Sequence, residues 1–246
     1  MFALNLRLMT VDLFIPCFID QMFPDTAWNT IYLLEKAGCE VNYNPKQTCC
    51  GQALFNSGDL KYSIKLAQKF NRDFPHNRPI IVPSASCAGY IRNHYADMLN
   101  SNEAERLKRN TYELTDFLIN QLNTDDFQTS FKHKITYHDA CSALREYGLK
   151  DEPRQLLRNV KDLELIEMPK KDECCGFGGT FMVKYAPIST AMTEQKVQNA
   201  LSTGAEYIVS TEASCLLNIQ SYINAQNLPI KTIHIADVIA GERNKA

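Results

Sequence analysis

The chain repeats itself, and its cysteines reveal the repeat first. Cys17, the pair Cys49-Cys50 with Gly51 behind it, and Cys87 form a set that returns as Cys141, Cys174-Cys175-Gly176 and Cys215. The flanking residues return with them. "VDLFIPC", ending at Cys17, answers "ITYHDAC", ending at Cys141. "IVPSASC", ending at Cys87, answers "VSTEASC", ending at Cys215. Downstream, "TYELTDFLIN" (111–120) answers "TIHIADVIAG" (232–241). Matches at several points in one order establish an internal duplication. Its period, about 125 residues, is that of a domain and not of a solenoid repeat.

A duplicated chain needs a seam. The stretch "NQLNTDDFQTSFKHK" (120–134) is polar and lacks apolar periodicity, so the expected division is 1–120, a linker over 121–133, and 134–246. Residues 1–8 match nothing later in the chain and are expected to be a start-site extension, with Met9 as the alternative start. The N-terminal run "MFALNLRLMTVDLFIPCFID" is apolar, but its one basic residue, Arg7, lies too far in for a secretory signal. It has no small-x-small cleavage site, and Asp12 and Pro16 interrupt any membrane span. Val11 to Cys17 reads as a buried strand, and the chain is expected to be cytoplasmic, with no transmembrane segment.

Composition excludes several classes. With 45% hydrophobic and 22% charged residues the chain is an ordinary globular one. A net charge of −2 and a pI near 6.2 offer no electrostatic footprint for nucleic acid or an anionic membrane. Nine cysteines, an odd number, in a chain of this size without a signal argue against a secreted disulfide framework and for metal binding or redox chemistry.

Short apolar runs at Asp12–Pro16, Glu40–Tyr43, Pro79–Val82, Lys134–Tyr137, Leu163–Glu167 and Tyr207–Ser210 read as strands. Between them lie helical patterns. In "DLKYSIKLAQKFNRDF", Leu60, Ile64, Ala67, Phe70 and Phe74 fall on one helix face, with Asp59 or Ser57 as the cap. Alternating strands and helices give an α/β fold: two tandem Rossmann-like halves with mostly parallel sheets, related by pseudo-twofold symmetry. Cys17, Cys87, Cys141 and Cys215 then follow strands at their carboxyl ends, where open α/β sheets place ligands, and the two Cys-Cys pairs occupy loops on the same edge. Each quartet is expected to converge at the mouth of its own half.

Four thiolates suffice for zinc. Structural zinc sites favour Cys-x-x-Cys knuckles, however, whereas adjacent cysteines point apart and suit a multinuclear cluster whose irons lie at different positions. The order of preference is an iron–sulfur cluster, then zinc, then a redox disulfide. Gly51 and Gly176 allow close backbone approach, and the amides around Gly176, Gly178 and Gly179 can form an anion-binding concavity. Cys39, in "KAGCEVNY", stands outside both sets and reads as a small buried residue in a helix–strand turn. "GFGG" lacks the spacing of a dinucleotide fingerprint.

At these residues the chain resembles the CCG-type cysteine-rich domain family. This domain occurs in tandem in the cysteine-rich component of heterodisulfide reductase, in the iron–sulfur subunits of glycolate oxidase and anaerobic glycerol-3-phosphate dehydrogenase, and in the lactate utilisation protein A branch. "QTCCGQALFNSG", "PSASC", "YHDAC", "ECCGFGGTFMVKYAPIS" and "HIADVIA" look most like the last. The resemblance implies a cytoplasmic iron–sulfur electron-transfer subunit of an L-lactate oxidation complex, acting with a ferredoxin-like iron–sulfur protein and a third subunit. It implies one or two 4Fe-4S-type sites, ligated by Cys17, Cys49, Cys50 and Cys87 and by Cys141, Cys174, Cys175 and Cys215, and no catalytic residue on this chain itself. Two other readings stay open: a zinc-bound or metal-free scaffold that docks the ferredoxin-like partner, and a thiol–disulfide oxidoreductase of the heterodisulfide reductase type. The chain departs from the wider family's Cys-x-x-Cys at the last cysteine, with Tyr90 and Asn218 in place of the second thiol, and has Ser142 where histidine is frequent.

Beside the cysteines, His138 is expected to orient or donate to cluster sulfurs. Asp139 is expected either to share that role or to cap the following helix. Lys184 and Tyr185 are expected either to line the site or to lie on a solvated helix face, and His76, His94, His133 and His234 to be surface or core residues.

Overall fold

The computed structural model describes residues 9–241; the expected extension at 1–8, with Arg7, lies outside them. The first half contains β1 (Met9–Leu13), α1 (Cys17–Met22), α2 (Pro24–Lys36), β2 (Cys39–Tyr43), α3 (Gln52–Asn56), α4 (Leu60–Asp73), β3 (Ile80–Val82), α5 (Ala85–His94), α6 (Ser101–Asn110), β4 (Thr111–Glu113) and α7 (Leu114–Asp116), which continues into a π-helical turn. The second half contains β5 (Lys134–Tyr137), a π-helical turn over Ser142–Tyr147, α8 (Glu152–Arg158), β6 (Glu164–Leu165), α9 (Phe181–Lys184), α10 (Ala186–Leu201), β7 (Tyr207–Ser210), α11 (Ala213–Ala225), β8 (Lys231–His234) and α12 (Ile235–Ala240).

Both sheets have four strands, all parallel, in the orders β2-β1-β3-β4 and β6-β5-β7-β8. The two halves therefore share one topology, as the duplication requires. Parallel pairing hides both faces of the central strands, which is why Ile80, Ile81 and Val82 are all buried. After β2 the chain crosses back over β1 to add β3 on its other side. Loops leaving β1 and β3 diverge there and open a crevice at the carboxyl ends.

Two strands escaped the sequence reading. β4 and β8 are short and partly polar, and they exist because β3 and β7 offer a free edge to pair with. The expected run Leu163–Glu167 narrows to Glu164–Leu165 at a sheet edge, and the expected Asp12–Pro16 strand starts earlier and ends at Leu13. Asp59, not Ser57, caps α4, its side chain accepting from the Tyr62 amide at 3.2 Å. Ala67, Phe70 and Phe74 are buried as the periodicity predicts, but Leu60 is 54% exposed. Ser63 takes the buried place in that first turn, its hydroxyl satisfied by the Asp59 carbonyl at 2.8 Å.

The halves are not independent. One apolar core runs through both, joining Val11, Leu33, Leu34 and Phe117 to Ile135, Leu156, Val209 and Ile239. Burying each such side chain contributes roughly 1.5–3 kcal/mol, so separating the halves would expose a large stabilising surface. Polar contacts repeat the symmetry across this core. Asp116, after β4, accepts from the Tyr147 hydroxyl of the second half at 2.5 Å. Its counterpart Asp237, after β8, accepts from Thr26 at 2.8 Å and Asn29 at 2.7 Å of the first. The polar segment 121–133 buries Phe127 and runs beside the second half, where Phe131 donates to Lys161 at 2.9 Å and Lys161 to Thr129 at 2.9 Å. Among the described residues no helix is long and apolar enough to cross a membrane.

Candidate metal centre

Each outer cysteine sits in the first turn after a central strand. Cys17 opens α1 behind Pro16, Cys87 lies near the start of α5, Cys141 opens the π-helical turn, and Cys215 lies near the start of α11. Helix starts present unpaired amides and a partial positive charge, which favour thiolates. Each Cys-Cys pair comes in from the loop after the edge strand. None of the nine cysteines is in a disulfide.

Within each half the sulfurs form a chain in motif order. Cys17 and Cys49 are 3.9 Å apart, and Cys50 and Cys87 are 3.1 Å apart. In the second half the Cys141 thiol interacts with Cys174, and Cys175 with both Cys174 and Cys215. Cys39 is buried at the start of β2 and belongs to the core rather than to either chain.

The glycine behind each pair has a steric and a polar reason. Gly51 has φ +96° and Gly176 φ +88°, a left-handed turn that aims each amide back at the first cysteine of its pair. The N–H···S distances are 3.3 Å to Cys49 and 3.4 Å to Cys174. A Cβ on Gly176 would lie 2.5 Å from the Ser189 carbonyl. The next amide, of Phe177, supports Cys175, while Gly178 and Gly179 line the cavity wall. The carbonyl of each second cysteine is also held. Tyr95 donates to Cys50 at 2.8 Å; Thr193 and Asn218 donate to Cys175 at 2.8 and 3.1 Å. Asn218 thus stabilises the loop from the place where the wider family has a thiol. Tyr90, its counterpart, is buried and stacks on His94.

Electrostatics follow from the sulfur chains. Thiols of Cys17 and Cys50 point at Cys49, which holds its pKa down at about 3, while those two neighbours are pushed well up. In the second half the Cys141 thiol is raised by its bond to Cys174 and by burial. For Cys175, the bond from Cys174 pulls down but Cys215 and burial push the thiol well up. For Cys215, the pull of Cys175 is outweighed by burial and the Glu212 carboxylate. The raised thiols around the Cys49 thiolate are what a soft cation converts to thiolates, releasing protons as it binds.

All eight of these cysteines open into one cavity of about 300 Å³. Each quartet converges within its own half, and both open into the same space rather than into separate ones. The two mouths face one another, because the shared core turns both carboxyl edges toward the pseudo-twofold axis. Phe18 and Phe177, one from each half, meet at the rim with ring centroids 5.6 Å apart. Ser142 and Val183 also line the cavity; Lys184 and Tyr185 lie on exposed surface instead.

Sequence reasoning missed Glu212. It is buried, lines the cavity, and accepts from the Ser86 amide at 2.9 Å, Ser214 at 3.0 Å and Ser84 at 3.2 Å. The signal was present in the repeat: "STEASC" puts a carboxylate where "PSASC" has Ser84. Asp139 does not cap a helix. It is buried and pairs with both terminal nitrogens of Arg154, at 2.9 and 2.8 Å, which also holds Glu167. His138 is fully buried beside Cys175 and Cys215, and neither ring nitrogen has a well-formed hydrogen bond. Burial and nearby Lys196 push it down to about 3, against the pull of the Lys171 backbone, so the ring is neutral. His234 is buried and caps α12, accepting from the Ala236 amide at 3.2 Å.

The profile of the CCG cysteine-rich domain matches twice, over residues 11–92 and 135–220. The chain belongs to the CCG cysteine-rich domain family. It is 42% identical over 236 residues to a lactate utilization protein A of Bacillus pumilus, covering 94% of this chain and 99% of that one. It is 39% identical to a protein of the same name from Geobacillus thermodenitrificans, covering 94% and 98%. A lactate utilization protein A 2 of Bacillus cereus is 36% identical, covering 96% and 100%. Among solved structures, a hypothetical protein from Helicobacter pylori superposes with a TM-score of 0.58 at 12% identity, covering 96% of this chain and 49% of that one, a likeness of fold.

Proposed function

We propose that this chain is an iron–sulfur electron-transfer subunit of a cytoplasmic L-lactate oxidation system. The observation that carries the reading is the cavity into which both cysteine quartets open, together with full-length relatives named for lactate utilisation. A bare ion leaves no need for a cavity of about 300 Å³ between eight cysteines; a multinuclear group of 4Fe-4S type does. Cys17, Cys49, Cys50 and Cys87 would hold one such group and Cys141, Cys174, Cys175 and Cys215 the other, with the amides of Gly51 and Gly176 supporting the sulfurs. When bound, the group supplies one-electron transfer. The chain's own residues hold sulfur in place, wall one side of the opening with the Phe18–Phe177 contact, and put a carboxylate beside it through Glu212. A ferredoxin-like iron–sulfur protein and a third subunit would complete the electron path and carry the hydride acceptor.

Zinc is the second reading, and one distance favours it. Two thiolates on a single tetrahedral ion lie about 3.8 Å apart, close to the 3.9 Å between Cys17 and Cys49. Anaerobic purification followed by iron, zinc and labile-sulfide analysis with EPR separates the cases. Iron and sulfide near stoichiometry, lost in Cys174→Ser, support the electron-transfer reading. Zinc without sulfide supports a scaffold that docks the ferredoxin-like partner. Absence of metal, with thiol counts that change in pairs on reduction, supports a thiol–disulfide oxidoreductase.

A further inference from the structure

The two quartets repeat, but the residues behind them do not. "VDLFIPC" and "ITYHDAC" put Phe14 and His138 at equivalent points, each ahead of the first cysteine of its set. Both are fully buried. Phe14 does there what an aromatic ring ordinarily does. It packs in a cluster with Cys50 and Cys87, its ring centroid 5.0 Å from that of Phe70 and 6.0 Å from that of Phe74. His138 has no such explanation. A ring nitrogen and the sulfurs of Cys175 and Cys215 all lie within 4.8 Å of one another, and neither nitrogen has a well-formed hydrogen bond, the Lys171 backbone lying near without closing one. Buried polar side chains are nearly always partnered, and an orphan at a site commonly marks a missing ion or water.

We propose that His138 is a direct nitrogen ligand of the second-half metal centre, beside Cys175 and Cys215. With metal–nitrogen and metal–sulfur bonds of about 2.0 and 2.3 Å, the three atoms need to come within about 3.5–3.8 Å of one another, a small contraction from their present spacing. Further ligands are at hand in Cys141 and Cys174, the next members of the sulfur chain. The two centres then differ in chemistry: sulfur alone in the first half, where Phe14 stands, and mixed nitrogen and sulfur in the second. Where the imidazole stands in for one of the four second-half sulfurs on an iron–sulfur group, it would raise that group's potential above that of the first-half centre. This rests on the metal-binding reading above; the nitrogen ligand itself is common to iron and zinc.

The test uses the full chain purified anaerobically. X-ray absorption is recorded at the iron and zinc edges, and pulsed EPR on the reduced protein with and without histidine carrying heavy nitrogen. The expected result is one nitrogen in the first coordination shell of one centre and, where the metal is iron, a histidine-dependent nuclear coupling. Both are lost in His138→Phe, which copies the first half, and in His138→Gln, with circular dichroism reporting whether each variant is folded. If neither variant folds, the wild-type first-shell nitrogen decides the matter, with the labelling beside it where the metal is iron. Metal bound with sulfur ligands only and no histidine coupling overturns the nitrogen ligand while leaving the proposed function standing. Neither iron nor zinc bound overturns both.

Discussion

Ser84 donates to both carboxylate oxygens of Glu212 at 3.2 Å, and the two residues occupy the same position in the two repeats. Equivalent residues touch each other only at a symmetry axis, so the pseudo-twofold passes between them and through the cavity they line. A serine pair would have kept the symmetry. The glutamate instead puts one buried carboxylate at the centre, with the Ser86 amide and the Ser214 hydroxyl as further donors.

Hydrogen bonds to a charged group contribute about 1.5–3 kcal/mol. Glu212→Gln is expected to lower stability by about 1–3 kcal/mol, because an amide presents donors to donors. Ser84→Ala is expected to cost about 0.5–1.5 kcal/mol. In a double-mutant cycle followed by chemical denaturation the pair is expected to couple by at least about 0.5 kcal/mol. Strict additivity would remove Ser84 from the account of how the halves are joined.

Gly176 and Gly179 both have positive φ, at +88° and +62°, but only Gly176 is crowded. Alanine at Gly179 meets open space and is expected to cost about 1–2 kcal/mol, the left-handed penalty alone. Alanine at Gly176 must also displace the Ser189 carbonyl and is expected to cost about 3 kcal/mol or more. It is also expected to lower metal content, since the amide that supports Cys174 moves. Equal losses in the two variants, by denaturation and metal analysis, would contradict the steric argument.

Asp237 ties the second half to α2 through Thr26 and Asn29. Asp237→Ala is expected to cost about 1–3 kcal/mol, and limited proteolysis is expected to cut first between the halves. Tyr147→Phe, which removes the reciprocal bond to Asp116, should behave alike but more mildly. A variant as resistant as the parent would show that the apolar core alone joins the halves.

Glu113 is fully buried, and desolvation pushes its pKa up to about 8 despite bonds from Thr115 and Asp116. The unfolded carboxyl titrates near its usual value of about 4.3. Between that value and the folded one the native state holds the extra proton, so stability falls as pH rises through the window and levels off above it. Glu113→Gln is expected to flatten this slope, matching the parent near pH 5 and exceeding it by about 1–3 kcal/mol near pH 8. Denaturation midpoints across that range test it; parallel curves for parent and variant would count against a buried proton at Glu113.

Much of this protein is legible in the sequence, because repeats, apolar alternation and glycine placement act over short distances. The spacing of the cysteines, the duplicated α/β architecture and the exclusion of Cys39 from both quartets all follow from residues that lie close along the chain. What the sequence could not determine is how one half faces the other. That depends on α2, α8 and α12 burying a common apolar surface, and no periodicity within either half encodes it. From that packing came the merger of two expected mouths into one cavity, the meeting of Ser84 with Glu212, the capture of Asp139 by Arg154, and the unpartnered His138 beside its sulfurs. Local pattern determined which groups each half carries to its carboxyl edge. Only the burial of the shared core decided that the two edges meet.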